Sequence, residues 1–474
     1  MSENTATRLA VLGAGPGGYA AAFRAADLGM DVTLVDPQKN PGGVCLYWGC
    51  IPTKALLHVV KVKDEARAAV DWGLTYPEPE VDIDKLRSFK DGVIKKLTSG
   101  LGQLTKKRKI TYLQGQGRFT GPTRIQVELV DGGDETVEFD KAIVAAGSSP
   151  ISLPNVDLES DRILYARSAL DLEEIPENLL VVGGGYIGLE LGSVYGKLGS
   201  KVTIVEMMPG IMPGADRDLV QIFEKANREV FEEVLTNTVV NTMEETKKGL
   251  KVTMKPTSGE GEETTKTYSK VLLTVGHRPN TEELGLDDLG IETGDKGYIV
   301  VDATRRTNVD SIYAVGDITG PPLLAHKAKL EGRVAAEAIA GEPSSFDPAT
   351  IPSVEYTDPE IAWCGITETE AKEQGLDYTV SSFPWAASGR AVAMGTNIGK
   401  TKLIVDNKTE RVLGVGIVGK NAGELIPEGV LAVEMAALAR DLELTIHPHP
   451  TLSETIMEAA AAFYGSPTDM MGST

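Results

Sequence analysis

Two stretches of the chain repeat one pattern of apolar and polar positions. Residues 9–36, LAVLGAGPGGYAAAFRAADLGMDVTLVD, and residues 179–206, LLVVGGGYIGLELGSVYGKLGSKVTIVE, align without a gap. Each opens on a continuous apolar run, breaks at glycines, continues at helical spacing, and closes on a second apolar run that ends in an acid. The pattern predicts strand, turn, helix and parallel strand, twice. Two further apolar runs, KAIVAAGSSP at 141–150 and KVLLTVGHRP at 270–279, end in Gly-x-x-Pro and predict a closing strand for each unit. Polar hairpin signals, VDGGDETVE and KPTSGEGEETTKTY, lie between opening and closing strands. The run TNVDSIYAVGD, 307–317, is a strand ending in Gly-Asp that has no counterpart inside the second repeat. From residue 351 the pattern changes to strands such as TKLIVD and VLGVGIVG, followed by an amphipathic helix over 424–439, ELIPEGVLAVEMAALA.

The glycines of the repeats carry chemistry. Gly13, Gly15 and Gly18 match Gly183, Gly185 and Gly188, and Asp36 matches Glu206, so both stretches hold the dinucleotide fingerprint with its distant carboxylate. Such glycines let a pyrophosphate approach the N–H groups of a helix N-terminus, and the acid accepts from ribose hydroxyls. Gly147 and Gly276 stand at the closing strand ends, where a parallel sheet meets its ligand crevice. The predicted class is α/β: two Rossmann-like dinucleotide-binding units and a mixed α+β closing domain, divided as 1–150, 151–280, 281–350 and 351–474.

Composition narrows the rest. A chain of 474 residues suits about three domains. Its 47 basic and 68 acidic side chains give a net charge of −21 spread along the sequence, which disfavours nucleic acid and anionic membranes as partners. No continuous apolar run has the length of a spanning helix, and the opening MSENTATRLAVLGAGPGG has neither a secretory nor an Arg-rich transit pattern, so a cytoplasmic protein is expected. Three cysteines are too few for a secreted disulfide framework. Two of them, Cys45 and Cys50, are close together in GGVCLYWGCIPTK; a pair alone makes no zinc site, and no metal is expected.

Residues five apart in a regular helix stand about 8.7 Å apart at Cα, beyond the roughly 7 Å a disulfide spans. If Cys45 and Cys50 pair, the segment is distorted or begins its helix between them; Gly49 gives the backbone latitude, and Pro52 suits a first helical turn. Two reduced structural thiols are the alternative. Cys364, in PEIAWCGI, reads as a small core residue. The five histidines are His58, His277, His326, His447 and His449. HPHPTLSE places Glu454 beyond His447 and His449; a histidine with a carboxylate on one nitrogen is a suitable base for a thiol proton, and on the residues alone either one qualifies.

GAGPGG, GGVCLYWGCIPTK, GGGYIG, IYAVGD, LAHKA and HPHPTLSE together, in this order, resemble the dihydrolipoamide dehydrogenase family of flavin disulfide reductases from end to end. The resemblance implies FAD on the first fingerprint and NAD on the second, with residues 151–280 inserted into an FAD domain completed by 281–350. It implies a homodimer joined through 351–474. The implied reaction reoxidises dihydrolipoamide, or the lipoyl domain of an acyltransferase core of a 2-oxoacid dehydrogenase complex or a glycine-cleavage carrier, with electrons passing through the disulfide and flavin to NAD⁺.

By the same resemblance Cys45 is the interchange thiol and Cys50 the charge-transfer thiol beside the flavin. Lys54, paired with Glu190, lies near the flavin, while Gly43, Gly117, Asp317 and Ala325 border FAD. The motif selects His449 with Glu454 as the base, reaching the cysteines of the other subunit, and leaves His447 as a structural neighbour. Glu206 repels a 2′-phosphate and MMPGIM supplies no arginine to offset it, which favours NAD over NADP and argues against glutathione-reductase-like enzymes. The ending SPTDMMGST lacks the cysteine pair of mercuric reductases. One departure is Tyr47 and Trp48, where the family usually has Asn and Val between the cysteines; they are either packing residues or modulators of flavin access and potential. A diaphorase or NADH oxidase, and a non-catalytic scaffold subunit, are the alternative functions.

Overall fold

The computed structural model describes residues 6–153, 156 and 158–471; the first five residues of the opening segment and the last three of the closing one lie outside these. Arg8–Leu12 lies between Asp31–Asp36 and Lys141–Val144, all parallel, with Leu12 opposite both Val35 and Val144. Leu9, Val11, Leu34 and Ile143 are buried because such strands are covered on both faces. Three strand ends therefore converge where Gly13 turns the chain. Thr111–Gly121 and Ile312–Ala314 extend the sheet in parallel on either side, and the antiparallel Arg124–Leu129 and Asp134–Glu138 complete seven strands. The helix Pro16–Asp27 packs on Ala325–Ile339, so residues beyond 300 finish the sheet and helix layer that the N-terminal segment begins.

A second parallel sheet has the order Phe231–Leu235, Lys201–Val205, Asn178–Val182, Lys270–Leu273, Ile163–Leu164. KPTSGEGEETTKTY holds the end of Gly249–Pro256, the turn at 257–263 and the strand Thr264–Tyr268; the two strands join Thr238–Thr246 in an antiparallel sheet packed on Leu180 and Leu273. The two Gly-x-x-Pro segments pair with each other: Ser148–Pro150 runs antiparallel to His277–Pro279. Both crossings between the first and second sheets thus pass through one small ribbon.

The third sheet is antiparallel, in the order Ser353–Glu355, Glu360–Gly365, Val412–Gly419, Lys400–Asp406, Tyr378–Pro384, with the helices Ala422–Glu434 and Glu454–Phe463 packed on it. The helix read over 424–439 is shorter than its pattern. Ala436 takes a left-handed φ of +51°, the Ala437 N–H returns to the Ala432 carbonyl, and a separate helix runs Ala439–Leu444. Apolar positions continue through that turn, so periodicity overran it. Hydropathy averaged over a window picks out one further segment. Gly43–Trp72 has the length and composition of a spanning segment. It consists of Gly43–Trp48, Cys50–Ala68 and a short 3₁₀ turn, and packs against Ile83–Lys107 and Tyr186–Leu198. An average over interspersed apolar residues, rather than one continuous run, singles it out.

Lys402 is fully buried where the third sheet meets the second unit, with Nζ 2.8 Å from Asp216, 2.8 Å from Asp218 and 3.1 Å from Glu368. Burial would strip its proton, but the carboxylates outweigh that and raise its pKa. The acidic group that could otherwise attract a metal ion is thereby occupied by an ammonium. Lys402→Met leaves buried Asp216 without its cation, with only the Glu368 and Thr369 N–H groups to satisfy it, and is expected to lower the unfolding free energy by about 3–5 kcal/mol. Lys400→Met, at the more exposed end, is expected to lower it by about 1 kcal/mol or less. Denaturant unfolding of both variants checks the contrast.

Candidate active site

Gly49, at φ −138° and ψ −114°, separates Gly43–Trp48 from Cys50–Ala68. That break brings the sulfurs together: Cys45 Sγ and Cys50 Sγ, both free thiols, are 2.8 Å apart. Cys50 opens its helix, where free N–H groups and the dipole favour a negative sulfur. The Cys45 S–H donates to Cys50, pulling the Cys50 thiol down to about 7 against the effect of burial, with Lys54 helping. The same bond, together with burial, drives Cys45 upward. Cys364 is buried in the third unit, its thiol pushed up to about 12 by burial, as suits a core residue.

One helical turn past Cys50, Lys54 Nζ donates to both oxygens of Glu190, at 3.0 and 2.8 Å. Glu190 is 2% exposed and sits on the second fingerprint helix. The Tyr356 N–H, from the third unit, donates to Glu190 Oε1 at 3.0 Å, and its ring centre lies 4.5 Å from Lys54 Nζ. One ion pair thus fastens all three units beside the thiols. Nothing in the periodicity around Tyr356 signalled this contact.

A cleft of about 1150 Å³ is lined by Gly13, Gly15 and Asp36, by Gly43, Gly117 and Gly147, by Asp317 and Ala325, and by both cysteines with Lys54 and Glu190. Its wall is backbone where the cysteine helix meets the glycine turn: Gly43 has φ +59°, and a Cβ there would lie 2.4 Å from Gly15 Cα. The Ser148 hydroxyl donates to Asp317 at 2.7 Å, and Ala325 begins the helix Ala325–Ile339. A long cleft with a bare glycine turn at one helix N-terminus fits an extended dinucleotide such as FAD. Trp48 also lines it, under the Arg167 guanidinium at 4.2 Å, whereas the Tyr47 hydroxyl donates to the Asn40 carbonyl.

Gly18 and Gly188 lie behind their turns, outside this cleft. A Cβ on either would come within 1.8 Å of the Gly13 carbonyl or 2.2 Å of the Gly183 carbonyl, so each lets a helix start directly against its turn. Gly183 and Gly185 form the second turn and Gly276 follows the Lys270–Leu273 strand; none of the three lines the first cleft, although their neighbours Tyr186 and His277 do. The two acids do more than the fingerprint indicates. Asp36 accepts from the Ala14 and Gln38 N–H groups at 2.7 and 2.9 Å, and Glu206 accepts from Gly184 and Met208 at 2.7 Å each. Each carboxylate clips its glycine turn to the end of the second strand.

The structure distinguishes the two C-terminal histidines. His447 has both ring nitrogens engaged, with the Thr445 carbonyl at 2.8 Å and Glu428 at 2.7 Å, and its side chain is 4% exposed. His449 meets Glu454 through Nδ1 at 2.8 Å, and its side chain is 77% exposed. Burial raises the Glu454 pKa, but the Thr451 N–H and His449 outweigh it and hold the carboxyl below its ordinary value. Neither His449 nor Glu454 lines this chain's cleft.

The sequence profile of the family described as Pyridine nucleotide-disulphide oxidoreductase matches residues 7–332, and that of its dimerisation domain matches 351–460. The chain is 49% identical over 470 residues to the dihydrolipoyl dehydrogenase of Vibrio parahaemolyticus, covering 99% of this chain and 98% of that protein. It is 49% identical, with the same coverage, to the dihydrolipoyl dehydrogenase of Haemophilus influenzae. The solved structure of LpdA from Mycobacterium tuberculosis superposes with a TM-score of 0.89 at 29% identity, over 96% of this chain and 99% of that one. With the thiol pair, both fingerprints and full-length likeness in agreement, the chain belongs to the pyridine nucleotide-disulphide oxidoreductase family.

Proposed function

We propose that the chain is an NAD-dependent dihydrolipoyl dehydrogenase that works as a homodimer. The observation that carries this reading is the Cys45–Cys50 pair at a helix N-terminus, in the wall of the dinucleotide cleft, beside Lys54 and Glu190. In the oxidised form a substrate thiolate attacks Cys45 Sγ, breaking the Cys45–Cys50 bond and releasing Cys50 as the thiolate its surroundings favour. The second substrate thiol, its proton passed through His449 of the other subunit to Cys45, attacks the substrate sulfur of the mixed disulfide and breaks its bond to Cys45; the lipoyl disulfide departs and Cys45 remains as a thiol. FAD held by the first cleft would supply two-electron transfer between the cysteine pair and an NAD⁺ bound at the second glycine turn. Overall, dithiol and NAD⁺ give disulfide, NADH and a proton. Glu454 fixes the His449 ring through Nδ1 and leaves Nε2 to meet the thiol.

Leu431, Met435, Leu444 and Ile446 are exposed in the region matched by the dimerisation profile, and a second copy would cover them. Three cysteines in 474 residues make no secreted disulfide framework, and we place the enzyme in the cytoplasm. Its partner is a lipoyl-bearing carrier, such as the acyltransferase core of a 2-oxoacid dehydrogenase complex. Purified protein should be yellow and should reduce lipoamide with NADH, but far more slowly with NADPH, because Glu206 opposes a 2′-phosphate. Equal rates with both nucleotides, or a colourless folded protein, would overturn the reading.

A further inference from the structure

Glu355 ends the strand Ser353–Glu355 with its side chain turned inward, 5% exposed, where the three units meet. Its Oε2 is enclosed and has no hydrogen-bond partner among the described residues. The charged groups facing it are Glu190 on Tyr186–Leu198, Arg217 on Arg217–Ala226 and Lys54 on Cys50–Ala68; the Tyr186 phenol also senses it. Both cations are committed elsewhere. Lys54 holds Glu190 through two bonds, and Arg217 donates to the carbonyls of Ile211, Met212 and Ala215. A buried carboxylate without its own donor or cation is strongly disfavoured. Burial, then Glu190, push the Glu355 pKa up to about 8 despite Arg217 and Lys54. The same two groups act on Cys50, which Lys54 favours and Glu190 disfavours as thiolate.

We propose that Glu355 is a positioning residue of the thiol pair: kept as the neutral acid, it adds no second carboxylate to compete with Glu190 and the Cys50 thiolate for Lys54, and it exchanges its proton when the charge on the cysteines changes. Reduction by NADH breaks the Cys45–Cys50 bond, adds two electrons and places one proton on Cys45, leaving Cys50 as thiolate and NAD⁺ as product. The new thiolate draws on Lys54, the cation that also favours ionised Glu355, so Glu355 holds a proton more tightly and takes a second one from solvent in a window around its pKa of about 8. Below the window Glu355 is neutral in both redox states. Above it the acid is ionised in both and competes with the thiolate for Lys54, so the pair is harder to reduce.

The test is the midpoint potential of the cysteine pair in the holoenzyme, equilibrated without oxygen against NAD⁺/NADH mixtures and followed by visible absorbance across a range of pH. Wild type should show a steeper segment, one extra proton per electron pair, around pH 8. Glu355→Gln should lack that segment, coincide with wild type at low pH and become the more easily reduced protein at high pH. Parallel curves throughout would overturn the proposal. Should the variant fail to fold, wild type labelled at glutamate carboxyls gives the second measurement: the reduced-minus-oxidised infrared difference near that pH should show a carboxyl gaining a proton, and no such band would overturn the proposal. The inference rests on Cys45 and Cys50 being the redox pair; reversible reduction with parallel curves would remove only the role of Glu355, whereas a pair that takes no electrons from NADH would remove both.

Discussion

Cys45→Ser is expected to abolish lipoamide turnover, by on the order of 10⁴-fold or more, while NADH oxidation by a one-electron dye continues. The serine hydroxyl can neither form a mixed disulfide nor regenerate the disulfide with Cys50, so every dithiol step is lost. No other sulfur substitutes: Cys364 is buried in the third unit. The dye reaction needs the two nucleotide sites, and the glycine turns and carboxylate clips that build them are untouched by the change. Cys50→Ser should lose lipoamide turnover equally, since it removes the leaving thiolate that the helix N-terminus and Lys54 support. Steady-state assays with lipoamide and with the dye, on both holoenzymes, separate the outcomes. If either serine variant retains near wild-type lipoamide activity, the sulfurs are not the working pair.

Much of this site was legible in the sequence because it is local. The fingerprints lie within continuous strand, turn and helix, so spacing alone located Gly13, Gly15, Asp36 and their counterparts. The cysteine spacing implied a distorted or late-starting helix if the two pair, and Gly49 is where the chain breaks between two helices. What spacing cannot show is a contact between distant segments. Tyr356 reaches Glu190 across 166 positions, and Lys402 meets Asp216 only because the third sheet docks on the second unit. The pairing of Ser148–Pro150 with His277–Pro279 was invisible for the same reason, although both segments had been noticed separately. His447 and His449 looked equivalent in HPHPTLSE because exposure, which separates them, depends on Thr445 and Glu428 around one ring. Glu355 gave no signal at all: an acid at a strand end is ordinarily solvated, and only the docking of three units encloses this one.

His449→Gln is expected to slow dithiol-dependent turnover by about 10² to 10⁴-fold and to leave NADH-driven dye reduction nearly unchanged. The base is needed only where a proton must leave a substrate thiol. The ring is exposed, held by Glu454 on one nitrogen, and absent from the cleft that contains its own chain's cysteines. An exposed base set apart from its thiols is explained if a second copy brings its cysteines to it. Mixing Cys45→Ser and His449→Gln homodimers under conditions of subunit exchange tests this directly. Each heterodimer then has one site carrying both lesions and one site carrying neither, so lipoamide activity should reappear from two nearly inactive parents. Mass spectrometry of differently tagged chains establishes that exchange has taken place. Exchange without recovered activity would mean that each chain completes its own site, and that the loop bearing His449 must fold back toward Cys45 within one protomer.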